Sequence, residues 1–330
     1  MRQPVKIFLV IIFSLAGSEV LFLLLHFQPY NGNTANSKIV SDPEPLFASD
    51  SVLGYVYARG DYDVTLNGKL KYRLTVSVDG SRWNAAQPET ARAQVNLYGC
   101  SFFAGMGVDD TAVVSARLQQ ILGDSVLVKN FSVPGYGLTS QYLLFREQVA
   151  AGQAPAVAVF STASFHLLRN AGAFRYLQSF GSIKRAPLRY PVAKLQRDNS
   201  LYFGLKSVIP PLPGLASHSR LYMQLLLAAD RIRYPDAYLL RLHNAIADSI
   251  CTLASAHDVH AVFVILSKDA LTDSMEQHYS KQRCDWFRSS VDYQNPDFNL
   301  MPLDGHPNDK AHLLYAKEIA DSLSARKLLN

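Results

Sequence analysis

The chain has 330 residues, 48% hydrophobic, 11% aromatic and 18% charged, an ordinary globular composition that excludes a disordered, collagenous or coiled-coil protein over most of its length. Lys and Arg number 32 against 27 Asp and Glu, a net charge of +5 with no basic run that would track nucleic acid, so no nucleic-acid partner is expected. Three cysteines without C-x-x-C spacing exclude a disulfide framework and a zinc site of four cysteines.

Ile7 to Phe27 is almost wholly apolar. At about 1.5 Å per residue, such a stretch spans the roughly 30 Å hydrocarbon core. Arg2 and Lys6 precede it, and no Lys or Arg follows until Lys38. The positive-inside rule then puts the N-terminus in the cytoplasm and the body outside. A cleaved leader is the competing reading, with Ala16-Gly17-Ser18 as the cleavage site; the continued apolar run Val20 to Leu25 favours an uncleaved anchor. Glu19 interrupts the run and is expected near its outer end, protonated or snorkelling.

Residues 1–28 are thus read as a single transmembrane anchor and 29–50 as a linker rich in Asn, Ser, Pro and Asp. Residues 51–90 alternate apolar and polar positions around the turn dipeptides Asn67-Gly68 and Asp79-Gly80, which predicts a small antiparallel β segment. From Ala91 the pattern becomes strand–helix alternation. Short apolar runs at Gln94–Tyr98, Ser125–Phe131, Ala156–Ser161 and His260–Leu266 read as buried parallel strands. Thr111–Leu122 and Asp309–Leu323 carry apolar residues on one helical face. An α/β domain over 91–330 with helices on both faces of a parallel sheet follows. Residues from about 164 to 235 are too long for a simple crossover and read as a helical insertion, with a Pro-rich irregular part at Ile209–Gly214.

Three loops carry chemistry. In Leu97-Tyr98-Gly99-Cys100-Ser101, a strand ends in a small polar turn, where an open α/β sheet exposes its ligand crevice. Ser101 would place a hydroxyl and a backbone N–H there. Asn130-Phe131-Ser132-Val133-Pro134-Gly135-Tyr136-Gly137 follows the second strand, and Gly135 or Gly137 would offer an N–H to an oxyanion. In Pro302-Leu303-Asp304-Gly305-His306-Pro307, His306 sits on a loop with a carboxylate two residues before it. Asp304 would hold the imidazole tautomer while the other ring nitrogen takes a serine proton. The other eight histidines read as surface or capping residues.

The ordered set GCSFFAGMGVDD, NFSVPGYG and DGHPN resembles blocks I, II and V of the SGNH (GDSL-type) hydrolases, over roughly Ala91 to the end. The resemblance implies a flavodoxin-like three-layer α/β/α domain. It implies Ser101 as nucleophile, His306 as base and Asp304 as its partner, with the amides of Ser101 and Gly135 in the oxyanion hole. It implies no cofactor and no metal. Cys100 stands where the family has Asp, and reads as a small packing residue rather than a second nucleophile. The third strand runs into FSTASFHLLRN instead of the family's Asn-Asp, which leaves His166 or Asn170 to supply the missing donor or line the pocket and Arg169 as a solvated residue. The resemblance implies a membrane-anchored serine esterase on the periplasmic side of a bacterial inner membrane, acting on a small-molecule or glycan ester such as O-acetylated carbohydrate. The alternatives are an envelope polysaccharide O-acyltransferase, which shares the acyl-serine, and a non-catalytic binding domain. Cys251 and Cys284 would pair in an oxidising compartment or stay as two buried thiols.

Overall fold

A computed structural model describes residues 3–29, 38–84, 88, 90–180, 189–208, 214, 216–281 and 284–329. The chain opens with α1 (Gln3–Leu24), then forms five short strands, β1 (Ile39–Asp42), β2 (Phe47–Asp50), β3 (Gly54–Tyr57), β4 (Gly60–Leu66) and β5 (Leu70–Val76). The α/β body follows as β6 (Ala93–Tyr98), α2 (Ser101–Ala104), α3 (Val114–Leu122), β7 (Val126–Asn130), α4 (Leu138–Ala150) and β8 (Val157–Thr162). It continues through α5 (His166–Asn170), α6 (Phe174–Leu177), β9 (Arg189–Leu195), β10 (Leu201–Ser207), α7 (Arg220–Arg233) and α8 (Asp236–Ala256). It ends in β11 (His260–Ile265), α9 (Ala270–Tyr279), β12 (Asp285–Arg288) and α10 (Asp309–Ala325).

The central sheet has the order β12-β11-β8-β6-β7, and every pairing in it is parallel. This is the flavodoxin-like order 2-1-3-4-5, entered from β7. Its strands are buried on both faces, which is why they read as unbroken apolar runs such as Val157-Ala158-Val159-Phe160. One face packs on α4 and α8 through Phe145, Leu239, Leu242 and Ile246, the other on α3 and α10 through Leu118, Tyr315 and Ile319. The expected three-layer α/β/α domain is therefore the observed one. Because the strands are parallel, the loops after β6, β7, β8 and β11 all leave at one end of the sheet.

Three expectations need correction. Part of the stretch read as linker is built structure: β1 joins β4 and β5 in an antiparallel sheet, and β2 pairs with β3. Four-residue strands with at most one buried position, as β1 and β2 are, carry too little alternation to be seen. The insertion is not purely helical, since β9 and β10 pair antiparallel across a tight turn where Asp198 Oδ1 accepts Ser200 N–H and Asn199 takes φ 63°. The Pro-rich part at 209–213 and the linker residues 30–37 lie outside the described residues. The third correction concerns the histidines: His166, His243 and His312 are wholly buried.

Two of these histidines set an acid limit. His243 lies between the Asn170 amide and the Tyr279 hydroxyl, and His312 Nδ1 accepts Val114 N–H. Burial pulls each down to about 3. An unfolded chain takes up these protons near pH 6.5, while the folded chain excludes them until about pH 3. The stability present above the unfolded value is therefore lost as pH falls through that window, by up to about 1.4 kcal/mol per pH unit for each ring. Urea unfolding of the detergent-solubilised chain should show this loss between about pH 7 and about pH 5. His312→Asn can keep the bond to Val114 through its side-chain oxygen. It should lose about 2 kcal/mol less over that interval, and an equal loss would mean the ring is not the source.

α1 is long and apolar enough to cross a membrane, and none of its residues is buried against the body. Cys251 in α8 and Cys284 before β12 form a disulfide with Cα atoms 5.6 Å apart. It closes a separation of 33 residues, which on the loop-entropy model contributes about 3–4 kcal/mol through the unfolded state.

Candidate active site

Ser101 opens α2 directly after β6, as expected of a serine at the end of a strand. The serine is 5% exposed. As first residue of the helix its N–H has no intrahelical acceptor, and it donates to no other group among the described residues. The next residue, Phe102, packs edge-on against the His306 imidazole at 5.8 Å between centroids, and against Tyr293 and Phe165 at 5.0 and 5.5 Å. The last loop of the chain is thus folded back onto the turn after β6. Ser101 Oγ makes no hydrogen bond with the imidazole, whose bonded nitrogen is the one facing Asp304.

His306 and Asp304 are joined. The His306 Nδ1 and Asp304 Oδ1 atoms are hydrogen-bonded, and Asp304 Oδ1 also accepts the His306 backbone N–H at 2.9 Å. The other carboxylate oxygen accepts Asn67 Nδ2 at 3.0 Å. That asparagine sits at φ 54° in the β4–β5 turn and also donates to Leu303 O. Asp304 is buried and its imidazole partner is partly exposed. Pro307 follows, and Asn308 caps α10 by accepting Ala311 N–H, so the loop is fixed from both sides.

Gly135 is held in place by tyrosines. Its carbonyl accepts the hydroxyls of Tyr176 and Tyr190, each at 2.8 Å, while Tyr55 bonds Pro134 O at 2.7 Å. Gly135 takes φ 88°, and a Cβ there would collide with the Tyr55 hydroxyl. Its own N–H donates to no group among the described residues. Gly137 plays a different part: it caps α4 and lets the backbone close on Arg169 and Asn170.

The two remaining candidates are enclosed. Asn170 is fully buried, its oxygen accepting Thr139 N–H and its nitrogen bonded to His243. His166 is enclosed with neither ring nitrogen hydrogen-bonded, and burial holds it well below the usual histidine value, so it is neutral. The residue that the sequence reading passed over is Arg169. Its guanidinium stacks on Phe165 and Tyr176 at 4.6 and 5.1 Å and donates to Tyr136 O at 3.1 Å. It also lies near Cys100, the residue before Ser101. It is not solvated as expected, but a half-buried cation between the Ser101 and Gly135 turns. The signal was the Phe165–Arg169 spacing of four, which stacks a guanidinium on a ring at a helix start. Asn67 carried no such signal, because its role depends on a contact 237 residues away. Among the described residues, no three His, Cys, Asp or Glu side chains gather where they would hold a metal ion.

Neither a protein-family model nor a curated protein matches the chain. It is similar to esterases of known structure. A psychrotrophic esterase from Pseudoalteromonas sp. matches at 12% identity and TM-score 0.40, over 71% of this chain and 98% of that one. A carbohydrate acetylesterase family member from Sinorhizobium meliloti matches at 11% identity and TM-score 0.35, over 72% and 99%. A family two carbohydrate esterase from Cellvibrio japonicus matches at 14% identity and TM-score 0.38, over 81% and 68%.

Proposed function

We propose that the chain is a membrane-anchored serine esterase in which Ser101 is the nucleophile, His306 the base and Asp304 its orienting partner. The observation that carries this reading is the buried Asp304 bonded to His306, folded against Phe102 beside Ser101 at the carboxyl end of the sheet. Ser101 Oγ attacks the ester carbonyl as its proton passes to His306 Nε2. The negative charge on the carbonyl oxygen meets the unengaged N–H groups of Ser101 and Gly135, with Arg169 close by. Collapse returns the proton to the departing alcohol and leaves an acyl-serine. Water, deprotonated by the same imidazole, then releases the acid. The Asp304 carboxylate holds Nδ1–H throughout, so that Nε2 presents its lone pair to the serine. Catalysis is assigned outside the cytoplasm, a reading supported by the disulfide and by the charge asymmetry around α1. A glycan ester is the substrate class we favour.

Treating the full chain in detergent with a fluorophosphonate should add one phosphonyl group to the parent by intact mass. Ser101→Ala and His306→Ala should take up none. Labelling that survives Ser101→Ala would sink this assignment, and residual labelling at Cys100 would transfer the role to the thiol. Hydrolysis is separated from transfer by adding an acetylatable glycan during turnover. An esterase releases the same amount of free acid with or without it.

A further inference from the structure

The polar residue that interrupts the apolar span has a partner. Glu19 Oε2 accepts Arg220 N–H at 3.0 Å, and Oε1 accepts Leu221 N–H at 3.1 Å and bonds the Ser219 hydroxyl. Arg220 in turn donates from Nε to Phe27 O just beyond α1. One carboxylate of α1 therefore closes the start of α7, and the returning chain ties Arg220 to the end of α1. Glu19 lies five residues before Leu24, the last of α1, or about 8 Å along the axis. If α1 spans the bilayer, α7 begins in the outer leaflet about 8 Å inside the end of α1, within the roughly 5–10 Å to which an interfacial helix sinks.

The helix that begins there has its amphipathicity turned outward. Asp230 and Met223 face the body, where Asp230 accepts Phe174 N–H at 2.6 Å and Arg175 Nε at 3.0 Å. Leu221, Leu225, Ala228, Ala229 and Ile232 fall at the spacings that form one stripe. Leu225 is 58% exposed and Ile232 83% exposed, with α1 already packed beside the helix. Arg231 and Arg233 are exposed on either side of Ile232. An apolar stripe flanked by guanidinium groups is the composition of a helix that lies in a lipid interface.

We propose that α7 is a membrane-interface helix, clasped to the span by Glu19, that seats the catalytic body on the same bilayer through the Leu225–Ile232 stripe. This rests on the anchor reading of α1. The occupant is lipid rather than a second copy because the start of the helix is fixed to α1 within the outer leaflet and its flanking charge suits anionic headgroups.

The test uses the full chain in nanodiscs of phosphatidylcholine and phosphatidylglycerol carrying a nitroxide near the headgroup. A fluorophore is placed in turn at Leu15→Cys, Leu225→Cys, Ile232→Cys and Ile121→Cys, the last an exposed position of α3. Lipid-borne nitroxide should quench positions 225 and 232 at least about twofold more than 121, with 15 quenched as well. Glu19→Leu should lower quenching at 225 by about half and leave 15 unchanged. If 15 is quenched while 225 and 232 match 121, the interface proposal falls and the anchor stands. That is also the outcome if a second copy covers the stripe. If 15 is unquenched, the anchor reading fails and takes the proposal with it. Quenching at 225 that is unchanged by Glu19→Leu would overturn the clasp.

Discussion

Asp304→Asn is expected to lower kcat for hydrolysis of a p-nitrophenyl ester by about 10⁴ while leaving KM and thermal stability nearly unchanged. The size follows from how completely the carboxylate is surrounded by donors. Oδ1 accepts the His306 backbone N–H and faces Nδ1, and Oδ2 accepts Asn67 Nδ2. An asparagine must turn its amide toward one of these sets. With the NH2 on the Oδ1 side it donates to Nδ1 and fixes the proton on Nε2, the wrong tautomer for taking a proton from Ser101. With the NH2 on the Oδ2 side it meets the Asn67 amide, itself a donor there. Either arrangement disables the base without emptying the core. Retention of kcat within about tenfold would remove Asp304 from the mechanism.

Arg82→Met is expected to lower the unfolding free energy by about 3–5 kcal/mol in urea titrations of the full chain. Arg82 is wholly buried and spends every guanidinium N–H. Nε donates to Asp110 Oδ1 at 2.8 Å, Nη1 to the carbonyls of Ala104 and Gly105, and Nη2 to those of Arg73 and Val108 at 3.0 and 2.6 Å. Its backbone N–H donates to Asn130 O. One side chain thus joins β5 to the end of α2 and the turn after it, while the backbone of the same residue ties it to β7. Gly105 makes room for it, since a Cβ there would stand 2.6 Å from Nη1. Methionine fills part of the volume but strands Asp110 and four carbonyls. Asp110, already pushed up by burial against the pull of Arg82, would become neutral. Adding Asp110→Asn to Arg82→Met should recover part of the loss, because a buried carboxyl no longer has to be held without its cation. A change under about 1 kcal/mol for Arg82→Met alone would show the network to be replaceable.

The parallel strands and the terminal helix were legible because burial on both faces, or on one helical stripe, leaves long apolar patterns. Val157–Thr162 and Asp309–Ala325 lie within two residues of where those patterns place them. The Asp304–His306 bond was legible because two residues of separation on a loop allow little else. What stayed hidden depends on contacts far apart in sequence. β1 and β2 are strands only because β4 and β3 stand beside them. Asn170 looked like a donor for the crevice, yet Thr139 and His243 hold it inside. Arg169 looked like a surface cation because the Phe165 spacing is a weak signal beside its charge, and nothing in the sequence singles out Arg82, whose carbonyl partners come from distant turns. Glu19 looked like an isolated misfit until the start of α7 met it.

The Asn67 amide belongs to the β4–β5 hairpin, outside the α/β layers, yet it holds the carboxylate that steers the imidazole. The boundary near Ala91 is therefore one of chain order and not of chemistry. A body trimmed to the parallel sheet would keep its serine and its histidine and lose the hand that steadies them. By the same contact, a shift of the hairpin would displace the Asp304 carboxylate, so this small sheet is a brace for the proposed base rather than a spacer.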